Sequence, residues 1–393
     1  MRNLISAAGF IALALLCWGL FGPTLQAGVG GMLYGNLRPL ICLAATFSLI
    51  AIAAPMVWML TGEEDEGGWT TTGVWWAGLA GCVAALGTFA VTMALKYRGN
   101  PLYVMPVAFG VMAVVYSLST AWLREGRFRI GWVFPVGALL TALGAAGVMF
   151  FSPTAQDIAI ATTEGGQITI TRTGLEGSME TKWTAGSEAQ LRNDPELAEA
   201  FALYQRFRPL DGPGVLLVGM WTLLTGLGWG IFAPMVQRSS KRMEGSRLRP
   251  LLVVGITFAL AGAVLPVVML ATSGDVGQWT VFGTLWSLAA GVVAAAGILG
   301  IVLAYGAGGR PSLTMPIVFG VAPLVSIAAS LTIQGTWGFA STLYFIAMGM
   351  LVAGVGLLLL LPTLDVEDSD EGEQEDSAGE KKDTEHTTPK ESK

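Results

Sequence analysis

The chain has 393 residues, 53% of them hydrophobic and 13% charged, against the roughly one-quarter charged share of a soluble domain; with a mean hydropathy of +0.61, a globule covered by water is excluded. Charge is also segregated: between Asp365 and Lys393 twelve acids face four lysines, a net −8 that leaves +2 on the rest of a chain totalling −6. The only histidine, His386, lies in that tail, so the body holds no His-based metal site or catalytic triad.

A hydrocarbon core of about 30 Å takes roughly 20 apolar residues per helix. Runs of that kind occupy 4–27, 36–60, 72–95, 101–123 and 130–152, then 213–237, 249–272, 278–305, 311–333 and 338–362. The first continues through Trp18 and Phe21 without a small-residue cleavage site, and is read as a retained helix rather than a signal peptide. Cys17, Cys42 and Cys82 fall inside such runs without CxxC spacing and read as small buried hydrophobes.

Between the fifth and sixth runs, 153–212 is polar. Ile158, Ile160, Ile168 and Ile170 alternate around Glu164, Gly165 and Gly166, which predicts a hairpin. Asp194-Pro195-Glu196 then predicts a cap and a short helix through Phe201, Tyr204 and Phe207. A small extramembrane subdomain is expected there. The acidic tail, 365–393, has almost nothing apolar to bury and is expected to be disordered.

The body contains one unit twice, 1–152 and 213–364. Trp18-Gly19-Leu20-Phe21-Gly22-Pro23 with Gln26 returns as Trp229-Gly230-Ile231-Phe232-Ala233-Pro234 with Gln237, and Leu37-Arg38-Pro39-Leu40 returns as Leu248-Arg249-Pro250-Leu251, both at an offset of 211. Trp69, Gly73, Trp76, Gly81 and Gly87 return as Trp279, Gly283, Trp286, Gly291 and Gly297, and Met105-Pro106 with Phe109-Gly110 returns as Met315-Pro316 with Phe319-Gly320, at an offset of 210. Shared apolarity would repeat Leu, Ala and Val; Trp, Pro, Arg and Gln in register mark a duplication. Five helices per unit is odd, so the second copy is expected to enter from the opposite side, giving two inverted five-helix repeats. Loop charge favours both termini in the cytoplasm: Arg124, Arg127, Arg129, Arg238, Lys241, Arg242, Arg247 and Arg249 then lie inside. Lys96, Arg98 and Arg310 split less cleanly.

Ten helices in two such units, a Trp-Gly near the middle of the first helix, a Pro-containing fourth helix ending in Arg124-Glu125-Gly126 and a fifth with Gly137, Gly144 and Gly147 resemble the EamA type of the drug/metabolite transporter superfamily. The resemblance covers nearly all of the membrane part and implies a small-solute carrier of the plasma membrane. Two departures stand out: Gln334 where an acid like Glu125 is expected, and the long polar insertion.

Alternating access needs a mid-membrane site that either side can reach, so residues present in both units are the first candidates. Trp18 and Trp229 offer flat faces to a solute or pack the core. Gln26 and Gln237 touch solute or headgroups, while Thr88, Thr92 and Tyr116 supply hydroxyls. Pro23, Pro106, Pro234 and Pro316 free carbonyls and mark hinges or static kinks. Arg38 and Arg249 gate the two mouths or snorkel to headgroups. Gly81, Gly291, Gly87 and Gly297 read as close-packing positions. No Asp, Glu, Lys or His falls deep in an expected span; a proton relay is therefore disfavoured and a neutral or weakly charged solute expected. The other reading is a non-transporting scaffold whose outer subdomain binds a partner. No nucleophile–base set, P-loop or dinucleotide motif points to an enzyme, no cofactor is expected, and no basic patch points to nucleic acid. The expected partners are the lipid bilayer and a small solute, with a homodimer left open.

Overall fold

The computed structural model describes residues 2–61, 67–123, 132–153, 158–163, 165–172, 181–197, 200–201, 204, 212–275, 277–309 and 311–359. Among them ten helices are long and apolar enough to cross a membrane, and the chain is a multi-pass membrane protein. They are α1 (Arg2–Gly31), α2 (Leu37–Thr61), α3 (Thr71–Lys96), α4 (Pro101–Leu123), α5 (Val133–Phe150), α6 (Gly212–Arg242), α7 (Leu248–Thr272), α8 (Val281–Gly306), α9 (Pro311–Gln334) and α10 (Thr342–Leu359). Their composition runs opposite to that of a soluble protein. On α3 the small residues Gly73, Ala77, Ala80, Gly81 and Ala84 are buried, while Val74, Trp75, Leu79 and Leu86 face outward. In a bilayer apolar bulk outside costs nothing, and small residues inside let helix backbones approach.

One departure from regular helix was not expected. In α7, Leu248–Ala259 passes through a π-helical stretch, Leu260–Val264, before resuming as Leu265–Ser273. Pro266, just beyond, has no N–H to donate and its ring crowds the preceding turn, so the helix widens ahead of it. The sixth run also ends later than its hydropathy implied: α6 continues past Gln237 through Arg238 and Lys241 to Arg242.

The halves interleave. α1 packs chiefly on α8 and α9, and α6 chiefly on α3 and α4; α2 lies against α8 as α7 lies against α3, and the pairs α2·α7 and α4·α9 close the set. Matched residues make matched contacts. Thr70 accepts from Gly73 N at 3.1 Å and donates to Arg242 O at 2.8 Å; Thr280 accepts from Gly283 N at 3.0 Å and donates to Gly31 O at 2.6 Å. The Arg38 guanidinium stands 5.9 Å from the Trp279 ring, and that of Arg249 stands 5.9 Å from Trp69. After α1 the chain turns through left-handed Leu33 (φ 53) and Tyr34 (φ 57), and after α6 through Glu244 (φ 56) and Gly245 (φ 87). On α5, the glycine stripe fits α10: a side chain at Gly144 would meet the Leu351 backbone, and one at Gly147 would meet Ala347.

The polar insertion folds as an antiparallel sheet of three strands in the order β1 (Ile158–Thr162), β2 (Ile168–Arg172), β3 (Thr181–Ala185). The expected hairpin is present, with Ile160 opposite Ile170; β3 was not foreseen. A short helix, Glu188–Asn193, precedes the expected cap, with Ser187 accepting from Gln190 N. Asp194 accepts from Glu196 N at 3.0 Å at the start of a 3-10 turn, Pro195–Leu197, and beyond it Ala200, Phe201 and Tyr204 are helical, as expected. Phe201 and Tyr204 are buried against Ile168 and Ile170, with Leu33 from the α1–α2 turn packed on the same cluster. Glu164, Phe207, the Arg124–Arg129 loop, Arg310 and the acidic tail lie outside the described residues. Of the cysteines, Cys42 is buried and Cys17 half-buried, whereas Cys82 is exposed on the outer surface; its helix turns that position away from the bundle.

Candidate functional site

The two halves enclose a cavity of about 490 Å³. Its closed end is an aromatic cluster. Trp18 and Trp229 meet edge to face at 5.8 Å between ring centroids. Phe21 lies 5.6 Å from Trp229, Phe319 lies 6.3 Å from Trp18, and Phe109 bridges Trp229 and Phe319 at 6.4 Å each. Each indole rests on a glycine of the other half, Trp18 on Gly297 and Trp229 on Gly87; any Cβ there would displace the ring.

The cluster treats two residues that match in sequence, Phe21 and Phe232, unequally. Both Phe21 and its counterpart Phe232 touch the cavity, but Phe21 is packed into the cluster at 1% exposure, whereas Phe232 has no ring partner among the described contacts and is half-buried. The cavity is one-sided in the same sense. Pro234, Gln237, Arg238, Ser240, Lys241, Arg247 and Tyr305 line it, all near the α6–α7 turn and the end of α8. Pro23 and Gln26, the equivalents of Pro234 and Gln237 on α1, do not.

At the opposite end the bundle is sealed. Asp275, whose side chain is 1% exposed, pairs with Arg38 at 3.4 Å. It also accepts from Leu37 N at 3.2 Å, capping α2 from the other half. Lys96 donates to Asn36 Oδ1 at 2.8 Å. The Asn100 and Gln334 amides bond reciprocally at 3.0 Å each way. Gly35 packs on Gly277 and Gly31 on Gly283, with no room for a side chain between.

Of the sequence candidates, Trp18, Trp229, Thr88, Pro234 and Gln237 reach the cavity. Tyr116 sits behind it, its hydroxyl accepting from Gln237 Nε2 at 3.3 Å. Thr92 is buried in α3, donating to Thr88 O at 2.7 Å, and does not line the cavity. Gln26 is half-buried near the sealed end, and Pro23 and Pro106 are buried in the packing. Pro316 lies within α9, and its side chain is outside the described residues. Arg38 belongs to the seal, and Arg249 lies on Trp69 outside the cavity.

Sequence reading missed Phe232, Thr120, Tyr305 and the cations Arg238, Lys241 and Arg247. The last three look like loop charge once the sixth helix is ended at Gln237. A signal was available: Pro234, Gln237, Arg238 and Lys241 recur at i, i+3, i+4 and i+7, one face of a helix. A 2–4 residue error at the boundary hid it.

No family model and no curated protein matches the chain. A solved structure called "Crystal structure of protein" is similar, at 18% identity and a TM-score of 0.48, over 91% of this chain and 97% of that one. At that level the likeness carries no inference about activity.

Proposed function

We propose that the protein is a transporter of the drug/metabolite type, carrying a small metabolite or drug-like solute across the plasma membrane by alternating access between two inverted five-helix repeats. The observation that carries this reading is the cavity, enclosed by both halves, open toward the α6–α7 turn and sealed at the α1–α2 turn. A bundle that merely anchored the β-sheet subdomain to the membrane would have no use for it. Inversion is supported by the turns: Gly35 neighbours Gly277 before α2, and its counterpart Ser246 neighbours Gly67 beyond the other end of α2.

The unequal phenylalanines suggest the motion. In the alternative state Phe232 joins the two tryptophans, Phe21 withdraws, and the cavity opens past Pro23 and Gln26. Rigid units exchanging one set of packed contacts for an equivalent set is the expected behaviour of a duplicated carrier. Positive-inside bias assigns the open end, with Arg238, Lys241, Arg242 and Arg247, to the cytoplasm, and the sheet subdomain to the outside.

The test has two parts. Single cysteines at Gly35 and Ser246, probed with an impermeant thiol reagent on intact cells, are expected to label from opposite sides; labelling from one side rejects the inversion. Purified protein in vesicles is expected to move at least one solute from a panel of sugars, amino acids and lipophilic drugs, and to lose that flux in Trp18→Ala and Trp229→Ala while still eluting as a folded particle. A panel wholly unmoved leaves the scaffold reading in its place.

A further inference from the structure

The sheet subdomain holds two turns of the sealed end at once. Leu33, in the α1–α2 turn, packs on its apolar cluster with Ile168, Ile170, Phe201 and Tyr204. Arg98, in the α3–α4 turn, sets its guanidinium 5.7 Å from the Tyr204 ring. Tyr204 is 3% exposed and is fixed from within the subdomain, its hydroxyl donating to Glu188 Oε2 at 3.4 Å. The two turns follow helices of different packing groups. α1 packs chiefly on α8 and α9, and α6 chiefly on α3 and α4, so each group takes helices from both halves; Leu33 follows α1 and Arg98 follows α3. Of the polar contacts that close this end, Lys96 to Asn36 and Asn100 to Gln334 also run from one group to the other. The subdomain is a further tie across the same divide, made of side-chain packing.

The matching residues of the second half supply a comparison. At offsets of 211 and 210 the counterparts of Leu33, Tyr34 and Arg98 are Glu244, Gly245 and Gly308. All six positions are left-handed, with φ from 53° to 90°, a backbone that glycine adopts freely and other residues at a cost. The second half places glycine at two of the three. At those two positions the first half places a tyrosine that packs on the bundle core and an arginine that lies on the subdomain. Where the first half has the apolar anchor Leu33, the second has a carboxylate. Backbone strain is thus accepted at the turns that meet the subdomain, and their side chains are the ones that make the contact.

Resting on the transport reading above, we infer that the sheet subdomain is a clamp on the sealed mouth: docked on Leu33 and Arg98 it holds the two helix groups together, and the state open at this end requires it to release one of them. A sheet closed over a packed apolar cluster does not stretch, so it cannot follow both turns as the groups part. A contact made in one state only shifts the equilibrium toward that state by its own worth. The clamp therefore sets how often this mouth opens, which gives the polar insertion a part in the cycle.

The test reads two cysteine substitutions, one at a time, in the full-length protein in nanodiscs, with Cys17, Cys42 and Cys82 replaced by alanine. Met32→Cys lies beneath the seal. Leu25→Cys lies about two turns deeper, at a fully buried position whose counterpart, Val236, lines the cavity. Arg98→Gly gives the α3–α4 turn the residue its twin uses, so it removes the contact and eases the backbone together; Leu33→Glu likewise takes the twin's residue. Arg98→Gly is expected to speed labelling by a charged maleimide at both positions roughly two- to fivefold, the worth of one exposed cation–π contact, and the pair Arg98→Gly/Leu33→Glu to speed it further. Lys182→Gln, exposed on β3, is expected to leave both rates unchanged. Faster labelling at position 32 alone means that the subdomain covers the mouth without controlling it, and overturns the inference, as do unchanged rates at both positions. Asp275→Asn, which weakens the seal at Arg38, separates the two claims. If it exposes position 25 and the clamp substitutions do not, the clamp falls and the carrier stands; if position 25 stays closed in every variant, this end does not open and alternating access falls together with the clamp.

Discussion

Trp18 and Trp229, 211 positions apart in the chain, stand edge to face at 5.8 Å where the two halves meet. Each is seated on a glycine of the opposite unit. Their contact is the floor of the cavity, and the packing around it is where single substitutions should be most informative.

Gly297→Ala places a methyl group 2.7 Å from Trp18 Cδ1 and Nε1, too close for the ring to stay. Overpacking of this kind costs about 1–3 kcal/mol, and Gly87→Ala should do the same through Trp229. Both are expected to lower the melting temperature in detergent and to shift the tryptophan emission. Gly30→Ala, where a Cβ meets open space, serves as the control; equal melting of all three variants contradicts the seating.

Asp275→Asn tests the seal. The substitution keeps the shape but removes the charge that holds Arg38 and caps α2. Weakening a buried pair of this kind costs up to about 3 kcal/mol, taken from the sealed state alone. A cysteine replacing Met32, fully buried beneath the seal, is expected to react several-fold faster with a maleimide when combined with Asp275→Asn. Unchanged reactivity means that the pair does not hold this end closed.

The reciprocal Asn100·Gln334 amides join α4 to the end of α9 across the halves. Cysteines at the two positions, bridged by a short bifunctional thiol reagent, should fix this end shut. Flux is expected to stop while the cavity stays accessible from the α6–α7 side, read by labelling a cysteine at Ser240. Flux that persists under full cross-linking argues against alternating access through this mouth.

Tyr344 is the largest fully buried side chain among the described residues, and its hydroxyl donates to Leu102 O at 2.9 Å. Tyr344→Phe leaves that carbonyl without its partner, for a loss of about 1 kcal/mol. α10 should loosen from α4, seen as a lower thermal midpoint with solute binding retained. An unchanged midpoint would show that the carbonyl finds another donor.

Ten helices and the sheet's first hairpin are legible from the sequence alone, because hydropathy runs and alternating isoleucines are local, one-dimensional signals; the recurring Trp-Gly, Arg-Pro and Met-Pro pairs are read there too. The packing role of Gly87 and Gly297 is legible too, since only a backbone without Cβ lets an indole lie on a helix. What the residues cannot specify is the end of the bundle toward which the cavity opens. Gln26 and Gln237 follow the same Trp-Gly-x-Phe-x-Pro run, yet only Gln237 lines the cavity, as only Phe232 and not Phe21 stands apart from the aromatic cluster. That asymmetry is a relation between residues some two hundred positions apart. So is the recruitment of Arg238 and Lys241, loop-like in hydropathy, into the wall of a site: helical continuation past Gln237 is fixed by packing of α6 on α3, where Ser239 donates to Gly73 O at 2.8 Å, and not by the apolarity of its own residues.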